Sequence, residues 1–333
     1  MPVRGKFAVI GGGAWGTAFA RHLAFNGYEV QIWAREEQTV KDINLGENRV
    51  FLPGISIPQS VRASSNITSA VDGCDFIFLA VPTQNIAETL VLIDDKAIKK
   101  DTIFVNMAKG IERGTCRLPS QIISARFPQT PVVALSGPSF AMEVAHGKPT
   151  VLVSAGEMGI AEEVQNAVTG PSMRVYRSED ILGVELGGAL KNVFALAAGM
   201  IAGLQLGENT RSAMIVRGLA EVRKLALAMG ADNNTIFGIS GLGDLVLTCT
   251  SEQSRNYRMG KMLAEGGNPT EILHEVKWVA EGLYTASSSA LLAKKYKIEM
   301  PITFMVDRVI SGEISPRKAV TELMNRPLKV EFQ

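Results

Sequence analysis

The sequence has few cysteines, no excess of either charge and no long apolar run at its start. The 3 cysteines among 333 residues are far apart and lack C-x-x-C spacing, which excludes a disulfide framework and argues against a zinc site. Since 34 Lys and Arg residues balance 33 Asp and Glu residues, no global field draws the protein to nucleic acid. The start of the chain lacks the apolar core of a signal peptide. These absences favour a cytoplasmic protein without a metal or a nucleic-acid partner.

The length of the chain predicts about two domains. The chain has 333 residues, and a domain has roughly 100–200. The texture of the sequence changes near residue 180, so we expect a first domain over 1–180 and a second over 181–333. The most apolar stretch, 193–204, is shorter than the roughly 20 residues that cross a bilayer. We expect a buried helix there and no membrane span.

Short β-branched and aromatic runs recur through the first half and alternate with helical patterns. They predict strands at 6–10, 29–33, 75–81, 102–106, 132–135 and 150–153. Alternating strands and helices are typical of βαβ units, which form a parallel sheet. The nearly continuous apolar run at 75–81 is typical of a strand covered on both faces. The expected fold class is therefore α/β, with an N-terminal doubly wound sheet of the Rossmann type.

The second half is rich in Ala, Leu and Gly at helical spacing. Residues 212–229 form one such pattern, and Gly230 directly follows it. A glycine just past the last periodic residue is a common helix stop. Segments 266–270 and 299–301 contain Gly or Pro and are predicted to connect helices. The expected C-terminal domain is all-α.

A glycine-rich turn follows the first predicted strand. The segment GGGAWG at 11–16 contains G-x-G-x-x-G, formed by Gly11, Gly13 and Gly16. In such a motif the first glycine permits a tight turn, the second lets a pyrophosphate approach the backbone, and the third lets the helix pack on the strand. The helix start supplies free N–H groups and a positive dipole to the phosphates. Because the motif lies between a strand and a helix, it predicts a dinucleotide site.

The end of the second strand indicates which dinucleotide is preferred. An acid there bonds the ribose 2′-OH, whereas an Arg accommodates a 2′-phosphate. Arg35 follows the predicted strand closely and favours NADP(H). Glu36 and Glu37 come next, and they favour NAD(H) if the strand ends one residue later. The remaining alternative is that Arg35 is a solvated residue at the start of a helix.

Two predicted strands end in polar turns. Lys109 follows the strand at 102–106, and Gly137 and Ser139 follow the strand at 132–135. Open α/β sheets bind ligands at the carboxyl ends of their strands. We therefore expect both turns to line the cofactor crevice.

Lys191 stands among small and apolar residues of a predicted helix. Gly187, Gly188 and Ala195 lie at i−4, i−3 and i+4 from it, so the helix face around it is expected to leave room for a ligand. Either the stem of Lys191 lies along the surface with its ammonium in water, or the ammonium is buried and functional. In the second case, burial and a second cation such as Lys109 lower its pKa, as a general acid at neutral pH requires.

Further polar residues gather in the segment 241–256. The candidates are Asp244, Thr248, Ser254, Arg255 and Asn256. Because a guanidinium binds phosphate oxygens bidentately, Arg255 with Asn256 predicts a phosphate clamp. By itself, the segment is equally compatible with a surface loop of salt bridges.

Six ordered motifs together resemble bacterial NAD(P)-dependent glycerol-3-phosphate dehydrogenase. They are GGGAWG at 11–16, NMAKGIE at 106–112, SGPSFA at 136–141, LKNV at 190–193, GLGDL at 241–245 and SRN at 254–256. The likeness extends from about residue 7 to about residue 310. It implies reversible reduction of dihydroxyacetone phosphate to sn-glycerol 3-phosphate, a small phosphorylated ketone and its alcohol. It further implies supply of phospholipid synthesis, usually by a cytoplasmic homodimer.

The resemblance, added to the patterns above, implies roles for individual residues. Lys191 is the expected acid/base residue, with Lys109 and Asp244 as its catalytic partners. The expected cofactor contacts are Gly11, Gly13, Trp15, Gly16, Arg35, Lys109, Ala141, Arg255 and Glu281. The expected substrate contacts are Lys109, Gly137, Ser139, Lys191, Asn192, Asp244, Thr248, Ser254, Arg255 and Asn256.

Two other functions stay open at the level of the sequence. β-Hydroxyacid and sugar-phosphate dehydrogenases share a Rossmann domain followed by a helical domain with a catalytic Lys, and fold alone does not separate them. A non-catalytic redox sensor that binds NADPH is a rival of another class. The sensor has no need for Lys109, Lys191 and Asp244 together, and the motif SRN at 254–256 favours a phosphorylated substrate.

Overall fold

A computed structural model describes residues 5–268, 271–272, 280–328 and 330–331. In these residues an eight-stranded sheet comes first and helices follow, which confirms the expected α/β fold with an all-helical C-terminal part. The strands are β1 Phe7–Ile10, β2 Val30–Trp33, β3 Val61–Ser64, β4 Phe76–Leu79, β5 Ile103–Asn106, β6 Val132–Ser136, β7 Thr150–Ala155 and β8 Met173–Ser178.

Helices of the first half cover both faces of the sheet. Alternate residues of a strand face opposite sides, and in the central strands both sets are apolar and need cover. In β1, Phe7 and Val9 enter one core, whereas Ala8 and Ile10 enter the other. These helices are α1 Ala14–Phe25, α2 Glu37–Asn44, α3 Ile67–Val71, α4 Ile86–Val91, α5 Pro119–Arg126, α6 Ala141–Ala145 and α7 Met158–Val168.

After residue 180 the described residues form helices and the connections between them. The helices are α8 Ile181–Gly203, α9 Gly207–Met229, α10 Asn233–Phe237, α11 Asp244–Cys249, α12 Arg255–Ala264, α13 Glu281–Tyr296, α14 Pro301–Ile310 and α15 Pro316–Met324. Helix α9 ends before Gly230, which has a left-handed φ of 99°, as its sequence predicts. The segment 299–301 connects α13 to α14 as expected, while 269–270 of the other predicted connection lie outside the described residues.

The sheet has the strand order β3-β2-β1-β4-β5-β6-β7-β8. Neighbours from β3 to β6 are parallel, and so are β7 and β8. Strands β6 and β7 are antiparallel, so the expected parallel sheet is parallel at every described pair but this one. The connection 137–149 contains the five-residue helix α6, which is too short to return along the sheet as a crossover helix does.

All six predicted strands are present, within two residues at each end. The sequence did not predict β3 and β8, which form the two edges of the sheet. An edge strand has one unpaired side and is partly solvated. In β8, buried residues at first alternate with exposed ones, so no continuous apolar run marks it.

Helix α8 lies in the centre of the helical part. Every residue from Gly183 to Ile201 is buried, which confirms the expected buried helix over most of 193–204. By length and composition, α8 is the one described helix that could cross a membrane, and 83% of its apolar window is buried inside the fold. Strand β8 ends at Ser178 and α8 begins at Ile181, so sheet gives way to helix beside residue 180.

Two glycines bring the backbones of α8 and α12 into direct contact. A Cβ on Gly199 would overlap the carbonyl oxygen of Tyr257, and a Cβ on Gly260 would overlap that of Leu196. The helices therefore pack at a distance that admits no side chain at these two positions.

We predict that Gly199→Ala destabilises the protein by about 1–3 kcal/mol, because the added methyl group forces the two backbones apart. This loss outweighs the gain of about 1 kcal/mol in helix propensity. Gly159→Ala in α7 is the matched control, since a Cβ there meets nothing within 4 Å. Thermal unfolding of the two variants checks this. A melting temperature of Gly199→Ala at or above that of Gly159→Ala contradicts the packing.

Candidate active site

The glycine-rich turn lies where the strand order reverses. Strand β1 has β2 on one side and β4 on the other, and open α/β sheets bind ligands at such a switch point. Gly11 has a φ of 124°, and a Cβ on it would lie 2.9 Å from the carbonyl carbon of Ala80. A Cβ on Gly16 would overlap the carbonyl oxygen of Gly11. The backbone itself therefore requires glycine at both positions.

Gly13 is different, because the space beside it is open. It is the N-cap of α1, and a Cβ on it would meet nothing within 4 Å. The first N–H groups of a helix have no partner within the helix and bind anions. The turn therefore fits a dinucleotide pyrophosphate, in a cradle that a side chain at Gly13 would fill.

Three further predicted cofactor residues lie around this edge of the sheet. Trp15 and Ala141 are partly buried against the core of the first half. Arg35 is exposed and forms an ion pair of 3.0 Å with Glu36 Oε1. Strand β2 ends at Trp33 as predicted, so it does not extend in the way that would favour Glu36. Arg35 is the first charged side chain after β2.

The predicted catalytic residues converge on one carboxylate. Lys191 Nζ lies 2.5 Å from Asp244 Oδ1, and Lys109 Nζ lies 2.6 Å from Asp244 Oδ2. Lys191 also donates to Thr248 Oγ1 at 3.0 Å, and Lys109 donates to the carbonyl oxygen of Gly137 at 2.7 Å. The side chain of Asp244 has no exposed surface, while that of Lys191 is 10% exposed and that of Lys109 is 19% exposed.

Burial and neighbouring charges set the pKa values of this cluster. Burial lowers the pKa of Lys191 to about 8, with Lys109 acting in the same direction and Asp244 opposing. Burial raises the pKa of Asp244, but the two ammonium groups outweigh it and hold that pKa below its usual range. Asp244 is therefore ionised at neutral pH. The alternative in which Lys191 keeps its ammonium in water is wrong, because the side chain is buried and bonded to Asp244.

The three charged groups come from separate elements. Lys109 lies on the turn after β5, and Lys191 lies in the middle of α8. Asp244 is the first residue of α11, directly after a π-helical turn at Ile239–Gly243. Such wide turns occur often at functional sites. Here the turn leads directly into Asp244.

The small residues next to Lys191 accommodate protein and not ligand. A Cβ on Gly187 would lie 2.9 Å from the carbonyl oxygen of Ser240 in the π-helical turn. A Cβ on Gly188 would lie 2.8 Å from Ser136 Oγ at the end of β6. The expectation that these glycines leave room for a ligand is wrong, since the π-helical turn and the sheet edge occupy that space.

Asn192 and Asn256 join the site to its surrounding helices. Asn192 Nδ2 donates to the carbonyl oxygen of Lys109 at 2.8 Å, and Asn256 Nδ2 donates to Asn192 Oδ1 at 2.8 Å. Asn256 Oδ1 accepts from the amide of Gly282 at 3.0 Å. Both side chains are buried. They link the Lys109 turn, α8, α12 and α13.

Arg255, next to Asn256, is the candidate whose charge has no partner within the described part of the protein. Its neighbour Ser254 caps α12 by accepting from the amide of Tyr257 at 3.2 Å, and Ser139 Oγ donates to the Gly137 carbonyl at 2.9 Å. Arg255 is exposed, and its guanidinium has no hydrogen-bond or ion-pair partner in the described part of the chain. Although the residue is exposed, the surrounding protein partly desolvates its guanidinium, and this desolvation together with the like charge of Arg258 lowers its pKa. Of the two residues of the predicted clamp, Asn256 is already bonded to the protein, whereas Arg255 is not.

Glu281 begins α13 and contacts the turn after β4. Its Oε1 accepts from the amide of Thr83 at 2.9 Å. Its Oε2 and the hydroxyl of Thr83 are both buried and have no partner in the described structure. A Cβ on Gly110 would lie 2.6 Å from Glu281 Oε2, so these atoms border the Lys109 turn. Unpaired buried oxygens fit a ligand that supplies donors there, and burial raises the pKa of Glu281 to about 7.

The sequence patterns did not point to Glu185 or Thr83. Glu185 is buried in α8 and accepts hydrogen bonds from Asn106 and Ser120. Its signal was present, since a lone acid in an otherwise apolar helix needs partners in the fold. Thr83 follows β4 in a segment with no pattern of its own, and only its contact with Glu281 in the folded chain places it beside the site.

The chain is similar to known dehydrogenases over nearly its whole length. The family model described as NAD-dependent glycerol-3-phosphate dehydrogenase N-terminus matches residues 6–159, and the model of the C-terminus matches residues 180–321. Glycerol-3-phosphate dehydrogenase (NAD(P)+) of Fusobacterium nucleatum is 42% identical over 98% of this chain and 99% of the relative. The Geobacter sulfurreducens protein of the same name is 44% identical over 98% of each.

A solved structure shows the same likeness in three dimensions. Glycerol-3-phosphate dehydrogenase from Coxiella burnetii matches with a TM-score of 0.91 at 37% identity, over 98% of this chain and 100% of that one. The agreement therefore extends through the sheet and the helical part alike.

We predict that Gly13→Ala weakens dinucleotide binding by about tenfold or more, which corresponds to about 1.4 kcal/mol, because the methyl group fills the phosphate cradle. Its melting temperature should stay at the wild-type value, since the space is open. Gly16→Ala is the contrasting variant, because its methyl group overlaps the backbone and should lower the melting temperature. Fluorescence titration with NADPH and thermal unfolding measure the two effects. Unchanged NADPH affinity in Gly13→Ala contradicts the site.

Proposed function

The chain belongs to the family of NAD-dependent glycerol-3-phosphate dehydrogenases, and we propose that Lys191 is the general acid and base of its reaction. Like its relatives, it is an NAD(P)-dependent oxidoreductase that acts on glycerol 3-phosphate. The observation that supports the role of Lys191 is its ammonium group, buried at 2.5 Å from Asp244 with a pKa lowered to about 8.

A nicotinamide dinucleotide held at the glycine-rich turn would supply the hydride for the ketone carbon of dihydroxyacetone phosphate. As the carbonyl π electrons move onto the oxygen, Lys191 Nζ gives that oxygen a proton, and sn-glycerol 3-phosphate forms. In the reverse direction the neutral amine takes the hydroxyl proton. A pKa near neutrality suits both directions, since each protonation state is accessible.

The two lysines each keep one donor for the substrate. An ammonium has three N–H donors. Lys191 uses two of them on Asp244 and Thr248, and Lys109 uses two on Asp244 and Gly137. The third donor of Lys191 would bond the reacting oxygen, and that of Lys109 would stabilise the charge that develops on it. Asp244 orients both ammonium groups.

We assign the substrate phosphate to Arg255. Arg255 is an exposed residue whose guanidinium is unpaired among the described residues, and bidentate binding of phosphate suits its planar donors. The positive charge of Arg258, one helical turn along α12, adds to the same field. Ser254, Asn192 and Asn256 hold this end of the pocket in place.

The finer biological properties are proposed from the resemblance. Arg35 gives a preference for NADP(H), with NAD(H) accepted as well. An exposed ion pair such as Arg35–Glu36 contributes about 0–1 kcal/mol, so a 2′-phosphate would readily replace Glu36. We further propose a cytoplasmic homodimer that supplies glycerophospholipid synthesis, with a dinucleotide domain over 1–180 and a substrate domain over 181–333.

One assay tests substrate, cofactor and phosphate site together. We expect dihydroxyacetone phosphate to drive rapid oxidation of NADPH by the purified protein, with slower oxidation of NADH and little turnover of unphosphorylated dihydroxyacetone. Arg255→Ala should raise KM for the phosphorylated ketone by about 10- to 100-fold, through loss of about 1.5–3 kcal/mol. Lys224→Ala, an exposed lysine of α9, is the control. Equal rates with NADH overturn the role of Arg35, and an unchanged KM in Arg255→Ala places the phosphate elsewhere.

The pH dependence should have opposite signs in the two directions. Reduction requires protonated Lys191, so kcat/KM should fall as the pH rises through about 8. Oxidation of glycerol 3-phosphate requires the neutral amine, so its kcat/KM should rise over the same range. In Lys109→Ala, both the fall of kcat/KM for reduction and its rise for oxidation should move to higher pH, because the charge of Lys109 lowers the pKa of Lys191.

Lys191→Ala tests the same group directly. It should lose about 10²- to 10⁴-fold in kcat, and its kcat/KM should show neither the fall for reduction nor the rise for oxidation near pH 8. Near-normal turnover by Lys191→Ala would remove the general acid from Lys191. A kcat/KM that changes with pH in the same direction for reduction and oxidation would argue against a single group in both roles.

A further inference from the structure

A buried carboxylate on α8 contacts the sheet edge next to the Lys109 turn. Glu185 is 4% exposed. Its Oε1 accepts from Asn106 Nδ2 and from the amide of Ser120, each at 2.9 Å, and its Oε2 accepts from the hydroxyl of Ser120 at 2.6 Å. All three donors belong to the sheet half of the molecule. Glu185 therefore links α8, the helix that carries Lys191, by direct hydrogen bonds to the sheet half of the molecule, which carries Lys109.

Asn106 extends this contact to the turn itself. It is the last residue of β5. Its Oδ1 accepts from the amide of Ala108 at 2.9 Å, and its Nδ2 also donates to the carbonyl oxygen of Ala108 at 3.1 Å. Ala108 directly precedes Lys109. One carboxamide thus fixes both polar groups of the residue before Lys109, and Glu185 fixes that carboxamide.

The same face of α8 holds Lys109 from its other side. Asn192, seven residues after Glu185, donates to the carbonyl oxygen of Lys109 at 2.8 Å. Between them, a Cβ on Gly188 would lie 3.5 Å from Lys109 Cγ, so the helix passes directly beside the Lys109 stem. Positions i, i+3 and i+7 share one face of a helix. Glu185, Gly188 and Asn192 therefore form a continuous seat for the Lys109 turn.

We propose that Glu185 is a positioning residue of the reaction, which acts through Asn106 to hold Lys109 Nζ in place against Asp244 and the substrate. The inference rests on the proposed role of Lys109. Misplacement of a reacting group by about 1 Å can cost about a hundredfold in rate. A carboxylate that touches no substrate can therefore control turnover by fixing one turn of backbone.

A double-mutant cycle between Glu185 and Lys109 tests this role. We expect Glu185→Ala and Lys109→Ala each to lower kcat/KM, and Glu185→Ala by about 10- to 100-fold. The double variant should be no slower than Lys109→Ala alone, because Glu185 then has no Lys109 to position. Independent effects would instead multiply. Multiplied losses overturn the proposal, whereas near-normal kcat/KM in Lys109→Ala overturns the proposed function and the inference with it.

Glu221 provides a matched control. It is also 4% exposed and accepts three hydrogen bonds, from the amides of Ile302 and Thr303 and the hydroxyl of Thr303. Burial raises the pKa of both glutamates to about 7. Glu221 caps α14, and its hydrogen-bond partners among the described residues, Ile302 and Thr303, lie outside the candidate site. Glu221→Ala should lower the melting temperature as Glu185→Ala does, but its effect on kcat/KM should be small and should multiply with that of Lys109→Ala.

A conservative variant separates hydrogen bonding from overall stability. Glu185→Gln keeps an acceptor for Asn106 and the Ser120 amide, and its new N–H₂ group can donate to the Ser120 hydroxyl. We expect its kcat/KM to return close to the wild-type value. A Gln variant with a normal melting temperature but the low kcat/KM of the Ala variant contradicts the proposal. If Glu185→Ala does not fold, Glu185→Asp replaces it in the cycle, with the same expected non-additivity.

Discussion

The buried carboxylate of Asp244 is the constraint on which the site depends. An ionised carboxylate without exposed surface is stable only with strong partners, and removal of one partner from a buried ion pair costs about 3–5 kcal/mol. Asp244 has two such partners, Lys191 from α8 and Lys109 from the turn after β5. The charge of Asp244 therefore ties the sheet to the helical part. The same contacts hold two ammonium groups side by side, which is the arrangement that the proposed proton transfer requires.

Helix α8 meets this constraint because different faces of it serve different neighbours. Lys191 reaches Asp244, while Asn192 holds the backbone of the Lys109 turn. Further along, Gly199 lets the backbone of α12 approach directly. A helix surrounded by protein has no solvent face, which explains why its sequence is apolar almost throughout. The charged or amide side chains in it, Glu185, Lys191 and Asn192, each have specific partners at the candidate site or next to it.

Local patterns predicted much of the fold because buried elements have apolar residues at a spacing that is visible in the sequence. Central strands such as β1 and β4 are apolar on both faces, and the glycine motif lies next to the strand that requires it. The edge strands β3 and β8 leave a weaker trace. The antiparallel direction of β7 depends on the length of its connection and not on its composition. Lys109, Lys191 and Asp244 could each be found from their own segments. Their meeting at one carboxylate is a tertiary fact, as is the contact of Glu185 with Asn106, which no local spacing encodes.

The partners of the buried acids explain why the pKa of one acid is lowered and the pKa values of the others are raised. Asp244 is bonded to two ammonium groups, and its pKa is lowered despite burial. Glu185 and Glu221 each accept three hydrogen bonds from neutral donors, which offset burial only in part, so their pKa values rise to about 7. Glu281 has the same raised pKa with one oxygen bonded and the other unpaired. Neutral donors thus suffice to position a carboxyl group, whereas a fixed charge needs the two lysines. Among the described residues, each carboxyl oxygen of the first three acids has a partner. The unpaired oxygen of Glu281 borders the Lys109 turn, where a bound dinucleotide would supply the missing donor.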